Sequence, residues 1–172
     1  MIIVVFGLPG SGKTFFSMHL KKELNACHLN TDIVREEMNR KGMYDEKSKQ
    51  EVYQRMILKA KEELDKGSDV ILDGTFHKQA RRQQVTGIAE KTGKNIFFIE
   101  IKASEESIIR RLEGNREYSE ADFEVFEKIK KEFDSFKDDH LILWSDSETL
   151  DKMLIKAKNY IHGYRPDTCF EK

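Results

Sequence analysis

The sequence has few cysteines and no long apolar run, the features that mark disulfide-stabilised and membrane-spanning proteins. Its 172 residues include two cysteines and two prolines. Cys27 and Cys169 lie far apart without metal-type spacing, which favours a reducing compartment over a disulfide framework. No apolar run approaches the length that crosses a bilayer. The first apolar run, residues 2–6, is too short for a signal peptide and lacks a basic segment before it. We therefore expect a cytoplasmic protein without a membrane partner.

A surplus of positive charge is also missing. Thirty Lys and Arg residues stand against 31 Asp and Glu residues, so the formal net charge is −1. Proteins that coat long nucleic acids usually carry a basic surplus, because neutralising phosphates supplies most of their affinity. We therefore expect no long nucleic acid as a partner. An oligonucleotide end or a small phosphorylated molecule needs only a few local cations and stays open.

Short apolar runs alternate with amphipathic segments along the chain. The runs predict five strands, at residues 2–6, 26–30, 68–73, 95–101 and 140–144. The segments between them predict helices, at residues 13–25, 33–41, 46–66, 77–92, from Ser104 onward, 120–136 and 147–161. This alternation is typical of an α/β fold, a mostly parallel sheet with helices on both faces. The length fits a single domain over residues 1–172.

A glycine-rich motif follows the first predicted strand. The segment GLPGSGKT matches GxxxxGK[ST], the P-loop, and consists of Gly7, Leu8, Pro9, Gly10, Ser11, Gly12, Lys13 and Thr14. Its glycines allow backbone N–H groups to surround a phosphate, and the next helix points its positive end there. Lys13 is expected to reach the β- and γ-phosphates, and the Thr14 hydroxyl to ligate Mg²⁺. A chance match is the alternative, but the buried strand before and the helix after are the required context. The sequence therefore predicts a P-loop nucleoside-triphosphate hydrolase fold that binds ATP or GTP with Mg²⁺.

The third predicted strand ends at Asp73. A carboxylate in this position can hold Mg²⁺ or one of its waters beside the phosphate cradle. The alternative is an ordinary strand-ending aspartate that begins a turn with Gly74. The Thr75 hydroxyl is expected to face the same cleft. With Thr14, Asp73 is our predicted metal ligand.

Several basic residues follow Asp73. Arg81 and Arg82 lie in the next predicted helix, where solvated charges are commoner than substrate contacts. His77 is expected at a surface helix start rather than in the cleft. The five histidines do not cluster at ligand spacing, so we expect no histidine metal site.

Asp32 and Arg35 follow the second predicted strand. Their spacing of three places a carboxylate and a guanidinium on one helical face. In phosphoryl transfer an aspartate can accept the proton of the attacking hydroxyl. A nearby arginine can bind an anionic group on the acceptor. Asp32 as a simple helix N-cap is the alternative, and the spacing alone does not separate the two interpretations.

Three arginines flank a loop between two amphipathic helices. Arg110, Arg111 and Arg116 fall in a segment of about residues 110–125 that we interpret as a helical lid. An arginine-bearing lid neutralises the migrating phosphoryl group and excludes water. The alternative is a charged, solvated helix end.

Four motifs in this order resemble a known family: GLPGSGKT, NTDIVR, ILDGTFHKQARR and RRLEGNREYSEADFEVFEKIKKEF. They look like the P-loop kinase family that includes the kinase domain of phage polynucleotide kinase. Small P-loop kinases labelled only as ATPases, and the zeta-toxin and chloramphenicol phosphotransferase groups, are similar. The resemblance covers nearly the whole chain. It implies Asp32 as general base, Arg35 as acceptor-phosphate clamp and Arg116 as the lid arginine that meets the phosphates. Arg111 matches less well, because the spacing between the two family arginines is not kept.

Two functions of different classes follow from these observations. The first is a kinase that moves the γ-phosphate to a hydroxyl of a small molecule or a polynucleotide 5′-end. The second is a nucleotide-dependent switch or ATPase without a dedicated acceptor. The acceptor-side pair and the lid favour the kinase. The resemblance leaves the acceptor open among a polynucleotide 5′-hydroxyl, a nucleoside, a sugar-like metabolite and an antibiotic.

Overall fold

The computed structural model describes residues 1–114, 123–136 and 138–163. Strands and helices alternate along this part of the chain. The strands are β1 (Ile2–Phe6), β2 (Cys27–Asn30), β3 (Val70–Asp73), β4 (Ile96–Lys102) and β5 (Leu141–Trp144). The helices are α1 (Lys13–Leu24), α2 (Thr31–Glu37), α3 (Glu46–Asp65), α4 (Gln79–Thr92), α5 (Glu105–Glu113), α6 (Phe123–Lys131) and α7 (Leu150–Gly163).

The strands form one parallel sheet in the order β2-β3-β1-β4-β5. β1 is the central strand, and its uninterrupted apolar sequence is buried throughout. In the register, Asp73 lies beside Val5 of β1 and beside Asn30 of β2. Parallel pairing therefore brings the ends of β2 and β3 next to the segment that leaves β1. The predicted α/β fold is confirmed.

Successive residues of β1 face opposite sides of the sheet, as the strand period requires. Ile2, Val4 and Phe6 pack in a core with α3 and α4, whereas Ile3 and Val5 pack in a second core with α1 and α7. Helices therefore cover both faces of the sheet. Among the residues that the structure describes, no helix combines the length and apolar character needed to cross a bilayer.

Helix α2 is shorter than its sequence pattern suggests. We predicted a helix over residues 33–41 that Gly42 terminates, but α2 covers Thr31–Glu37. Asn39 takes a left-handed conformation with φ of 55°, and the Arg40 N–H donates to the Arg35 carbonyl at 2.9 Å. This is a helix-terminating arrangement in which asparagine replaces the usual glycine.

Helix α6 ends at Lys131, so the predicted helix over residues 120–136 was too long at its C-terminal end. Phe133 and Phe136 lie beyond the helix but still pack against the ring of Phe6. Residues 120–122 of that prediction lie outside the described part of the chain. Apolar spacing alone did not reveal that the last two phenylalanines reach the core from irregular backbone.

Arg82 holds this irregular segment in place. Its side chain is only 2% exposed, so the expectation of a solvated charge was wrong. Its guanidinium donates to the carbonyls of Phe76 at 2.7 Å and Asp134 at 2.9 Å, and it stacks on Phe136. Burial lowers the pKa of Arg82 from its ordinary value. Arg82 therefore stabilises the turn after β3 rather than contacting a substrate.

Candidate active site

A cavity of about 860 Å³ opens at the carboxyl ends of β1, β2 and β3. Ligands of parallel sheets bind at this edge. The phosphate cradle and the start of α1 line one side of the cavity, and α2, α3 and the turn after β3 line the other. Val125, Lys128 and Ile129 of α6 complete the lining. The cavity therefore joins the P-loop to the predicted acceptor residues.

The cradle has the backbone geometry that its glycines permit. Gly7 has φ of 142°, and a Cβ there would lie 2.3 Å from the backbone oxygen of Ile101. Gly12 is the N-cap of α1, takes a left-handed conformation with φ of 94° and makes no side-chain cap bond. The Lys13 Nζ donates to the Leu8 carbonyl at 2.9 Å across the loop. A helix N-terminus of this kind favours an anion.

The Asp73 carboxylate is fully buried at the end of β3. Its Oδ2 accepts from the Asn30 amide at 2.6 Å and lies 3.1 Å from the His28 Nε2. The same Asn30 nitrogen donates to the Thr14 hydroxyl at 3.2 Å. The second carboxylate oxygen, Oδ1, is buried and has no hydrogen-bond partner among the described residues. A buried carboxylate oxygen without a donor is costly unless a cation or ligand satisfies it.

The side chains of Asp73 and Thr14 fit a Mg²⁺ site, because they offer oxygen atoms that a cation can satisfy. Mg²⁺ prefers oxygen ligands, keeps several waters and often takes one or two carboxylates. The Oδ1 of Asp73 and the Thr14 hydroxyl supply such oxygens, and the Asn30 amide, which donates to Thr14 and to the other Asp73 oxygen, Oδ2, holds the two side chains together. Across the described residues, no group of three or more His, Cys, Asp or Glu side chains forms a separate metal cluster.

Asn30 caps helix α2. Its Oδ1 accepts from the N–H groups of Asp32 at 2.8 Å and Ile33 at 3.2 Å. Both polar atoms of the Asn30 side chain are therefore fixed. The helix N–H groups hold Oδ1, and Asp73 and Thr14 hold Nδ2. The interpretation of Asp32 as the N-cap was wrong. The half-buried Asp32 side chain lines the cavity instead.

Arg35 lies one helical turn after Asp32 and also lines the cavity. It is only 5% exposed, and its Nε and Nη1 are buried without hydrogen-bond partners among residues 1–114, 123–136 and 138–163. Its guanidinium carbon lies 4.6 Å from the centre of the Tyr44 ring, a cation–π contact. Lys49 lines the same region. This end of the cavity therefore combines two cationic side chains, Arg35 with its buried donors and Lys49, which is ion-paired with Glu46.

The turn after β3 is held by a chain of hydrogen bonds. The Tyr53 hydroxyl accepts from the Phe76 N–H at 3.1 Å and lies 3.3 Å from the Thr75 hydroxyl. The Thr75 hydroxyl in turn lies 3.2 Å from the Nδ1 of His77. Phe76 has φ of 43°, an uncommon value for a bulky residue, and the bonds on either side stabilise it. The turn thus presents Thr75 and His77 to the cavity.

His77 is buried, contrary to its predicted surface position. Burial and the positive charges of Lys49 and Lys78 lower its pKa to about 4. The imidazole is therefore neutral at pH 7. It adds a polar but uncharged group to the acceptor side of the cavity.

A second cavity, of about 300 Å³, adjoins the cradle at the start of α1. Phe15, Phe16, Leu150 and Met153 form apolar walls, and Ser145 and Glu148 provide polar groups. Gly12, Phe15 and Arg111 line both cavities. A ligand whose phosphates occupy the cradle can therefore extend into this second space.

Arg111 fastens the cradle to the turn after β5. Its guanidinium donates to the Gly10 carbonyl at 3.2 Å and to the hydroxyl and carbonyl of Ser145 at 2.9 and 3.2 Å. The Ser145 hydroxyl in turn donates to the Ser11 carbonyl at 2.6 Å. Arg110 is largely exposed and bonds to Ser107, away from both cavities. Arg116 lies outside the described residues.

Sequence reasoning missed several residues that organise this site. They are His28, Asn30, Tyr44, Lys49, Tyr53, Ser145 and Glu148. Asn30 carried a usable signal, because asparagine before a helix start is a preferred N-cap. Tyr53 falls on the apolar stripe of α3. Its ring packs in the core, and its hydroxyl accepts from the Phe76 N–H in the turn beside the cavity.

The sheet order, the cradle and the adjoining cavities define a P-loop protein with a kinase-like fold. Residues 2–136 match the AAA_33 family, an AAA domain. The chain belongs to this family. A UPF0200 protein of Aeropyrum pernix is 30% identical over 138 residues, which are 74% of this chain and 71% of the relative.

Solved kinase structures share the fold. The APS kinase CysC of Mycobacterium tuberculosis in complex with AMPPNP and APS has a TM-score of 0.73 and 15% identity, covering 94% of this chain and 96% of that one. A sugar kinase of Janibacter sp. HTCC2649 has a TM-score of 0.72 and 15% identity, covering 94% of each chain. The resemblance to polynucleotide kinase is thus confirmed only at the level of the P-loop kinase fold.

Proposed function

We propose that the protein is a kinase that transfers the γ-phosphate of ATP or GTP to a hydroxyl of an acceptor that carries an anionic group. The buried Arg35 guanidinium carries this proposal, because Arg35 lines the cavity and its Nε and Nη1 have no hydrogen-bond partner within the part of the chain that the structure describes. Burying such a cation is costly unless an anion compensates it. A nucleotide switch without an acceptor has no need of this group.

The nucleotide would place its phosphates on the cradle and its base in the second cavity. The N–H groups at the start of α1 and the Lys13 ammonium face the phosphate position. The apolar walls of the second cavity suit a flat nucleobase, and Arg111, which lines both cavities, would lie between the base and the phosphates. An APS kinase with the same fold was solved in complex with AMPPNP, which supports nucleotide binding.

Thr14 and Asp73 would hold Mg²⁺, which neutralises charge on the β- and γ-phosphate oxygens when bound. Asn30 donates to both the Thr14 hydroxyl and the Asp73 carboxylate, and so fixes them relative to each other. His28 Nε2 lies 3.1 Å from the same Asp73 oxygen, and Oδ1 has no partner among the residues that the structure describes.

On the acceptor side, Asp32 would accept the proton of the attacking hydroxyl while Arg35 binds the anionic group. A bond forms between the acceptor oxygen and the γ-phosphorus, and the bond to the β–γ bridging oxygen breaks, which releases the nucleoside diphosphate. Lys13 stabilises the negative charge on the transferring group. Arg116, in a lid of about residues 110–125, would add charge stabilisation as the family resemblance implies.

The acceptor can be a small molecule or an oligonucleotide end, since both can carry a phosphate. A library of hydroxyl acceptors, incubated with γ-labelled ATP and with GTP, tests the proposal. We expect label to appear in acceptors with a phosphate, sulfate or carboxylate. Labelling of neutral acceptors alone would contradict the proposed role of Arg35 in binding an anionic group of the acceptor.

Mg²⁺ dependence gives a prediction about Asp73. ATP should bind the wild-type protein more weakly in EDTA than in Mg²⁺, and Asp73→Asn should lower the Mg²⁺-dependent affinity by about 10- to 100-fold. The physical reason is the loss of the negative charge that faces the metal position. Calorimetric titration measures both effects, and Asp65→Asn, at an exposed helix end, is the control. Equal affinity under all conditions would exclude the metal role.

Arg35 gives a second prediction because its burial without an anion is unfavourable. Arg35→Met should leave the free energy of unfolding of the ligand-free protein near wild type, since the lost cation–π contact is offset by removing an uncompensated charge. The KM for an anionic acceptor should rise on the order of 10²-fold. Steady-state kinetics and denaturant unfolding measure the two effects, with the exposed Arg55→Met as control. An unchanged KM would contradict the anion-binding role.

A further inference from the structure

The second cavity contains a carboxylate that the transfer chemistry does not use. Glu148 lines this cavity, and its side chain is 17% exposed. One of its oxygens, Oε1, is ion-paired with Lys156 of α7. The other, Oε2, is buried and has no hydrogen-bond partner in the portion of the chain that the structure describes. We infer that Glu148 is the base-reading residue, and that its Oε2 accepts a hydrogen bond from an N–H donor on the edge of a purine base.

The position of Glu148 is fixed before any ligand binds. Its backbone N–H donates to the Trp144 carbonyl at 2.9 Å, which closes the turn after β5. Lys156 holds one oxygen from two turns into α7. The same turn is tied to the cradle through Ser145, which donates to Ser11 at 2.6 Å. A preorganised acceptor therefore lies at a fixed place relative to the phosphate site.

The surroundings determine which partner fits. Phe15, Phe16, Leu150 and Met153 offer apolar contacts to the faces of a ring and no strong hydrogen-bonding groups from their side chains. An ionised carboxylate accepts hydrogen bonds and donates none. A base that enters the cavity must therefore present a donor to Glu148, or it leaves the buried oxygen unpaired.

Adenine and guanine both satisfy this requirement with different groups. Adenine offers its 6-amino group, next to an acceptor nitrogen. Guanine offers a ring N–H and a neighbouring 2-amino group. A purine without substituents offers neither. The shared chemistry is an N–H donor on the base edge, and the comparison of ATP with GTP shows which base supplies it.

The inference rests on the proposed nucleotide binding, and a cycle of nucleotide and protein variants tests it. Affinities for ATP, GTP and purine riboside 5′-triphosphate are measured by calorimetry with the wild-type protein, Glu148→Ala and Glu148→Gln. For wild type, we expect ATP or GTP to bind on the order of tenfold or more tightly than purine riboside 5′-triphosphate. Binding of this donor-free analogue leaves the buried Glu148 Oε2 unpaired. In Glu148→Ala this difference should fall to about twofold or less.

Glu148→Gln keeps an acceptor oxygen and should retain part of the preference, which separates base reading from a general effect on the fold. Asp151→Ala, an exposed residue in the first turn of α7, is the matched control and should behave as wild type. Equal binding of all three triphosphates to wild type, or the same preference in Glu148→Ala, would overturn the inference and leave the proposed kinase intact. If no triphosphate binds, both the inference and the proposed function are wrong.

Discussion

Replacing Lys13 with alanine should lower the rate of phosphoryl transfer on the order of 10²-fold or more, with the fold preserved. The Lys13 side chain lines the main cavity and crosses the cradle to the Leu8 carbonyl. Its ammonium group is therefore placed to stabilise charge on the γ-phosphate during transfer. The core clusters on both faces of the sheet do not include Lys13, so unfolding should change little.

The measurement is transfer of labelled γ-phosphate to an active acceptor, together with thermal unfolding of the same samples. Lys21→Ala provides the control, because Lys21 is exposed in the last turn of the same helix. A well-folded Lys13→Ala variant with near-wild-type turnover would contradict the assignment of the P-loop as the nucleotide site.

Asp32→Asn should lower kcat by about 10²- to 10⁴-fold with little change in nucleotide affinity. The substitution removes the carboxylate that would accept the proton of the attacking hydroxyl. It leaves the N-cap of α2 in place, because Asn30 supplies the cap. The loss of a negative charge in the first turn should reduce stability by about 1 kcal/mol or less.

Glu36→Gln is the control for Asp32→Asn, since it removes a carboxylate from an exposed position on the same helix. Stopped-flow or steady-state transfer assays give kcat, and calorimetry gives the nucleotide affinity. A variant that keeps full kcat would show that Asp32 is not the base. The acceptor-side half of the proposed mechanism would then be wrong, and the nucleotide-switch alternative would gain support.

The parts of this architecture that depend on short sequence stretches were predictable. The apolar run of β1 and the GxxxxGK[ST] motif predicted a strand, a cradle and a helix in contiguous residues. The position of Asp73 at the end of a buried strand suggested that it would lie beside the cradle, and the register places it beside Val5. Parallel-sheet rules convert such strand ends into neighbours in space.

The parts that depend on long-range pairing were not predictable. Asn30 bonds to Asp73 across 43 residues of sequence, and Ser145 bonds to Ser11 across 134. Nothing in the local sequence around either residue specifies its partner. Arg82 was misjudged for the same reason, because its burial depends on carbonyl groups more than 50 positions away.

The ends of helices could also not be predicted from the local sequence where tertiary contacts override the apolar pattern. The spacing of Phe133 and Phe136 continues the period of α6, yet the backbone leaves the helix at Lys131. The Asp134 N–H donates to the His77 carbonyl at 2.9 Å, and the Asp134 carboxylate accepts from the N–H of Gln79. These contacts with the turn after β3 replace helical hydrogen bonds.

The most direct test of the proposed kinase is ATP or GTP turnover measured without and with an anionic hydroxyl acceptor. We predict slow hydrolysis of the nucleotide alone, and a large rise in turnover on adding the active acceptor, with the γ-phosphate recovered as a phosphate ester of that acceptor. Brisk hydrolysis that no acceptor changes, with all label released as inorganic phosphate, would contradict the kinase and identify the protein as a nucleotide-dependent ATPase or switch.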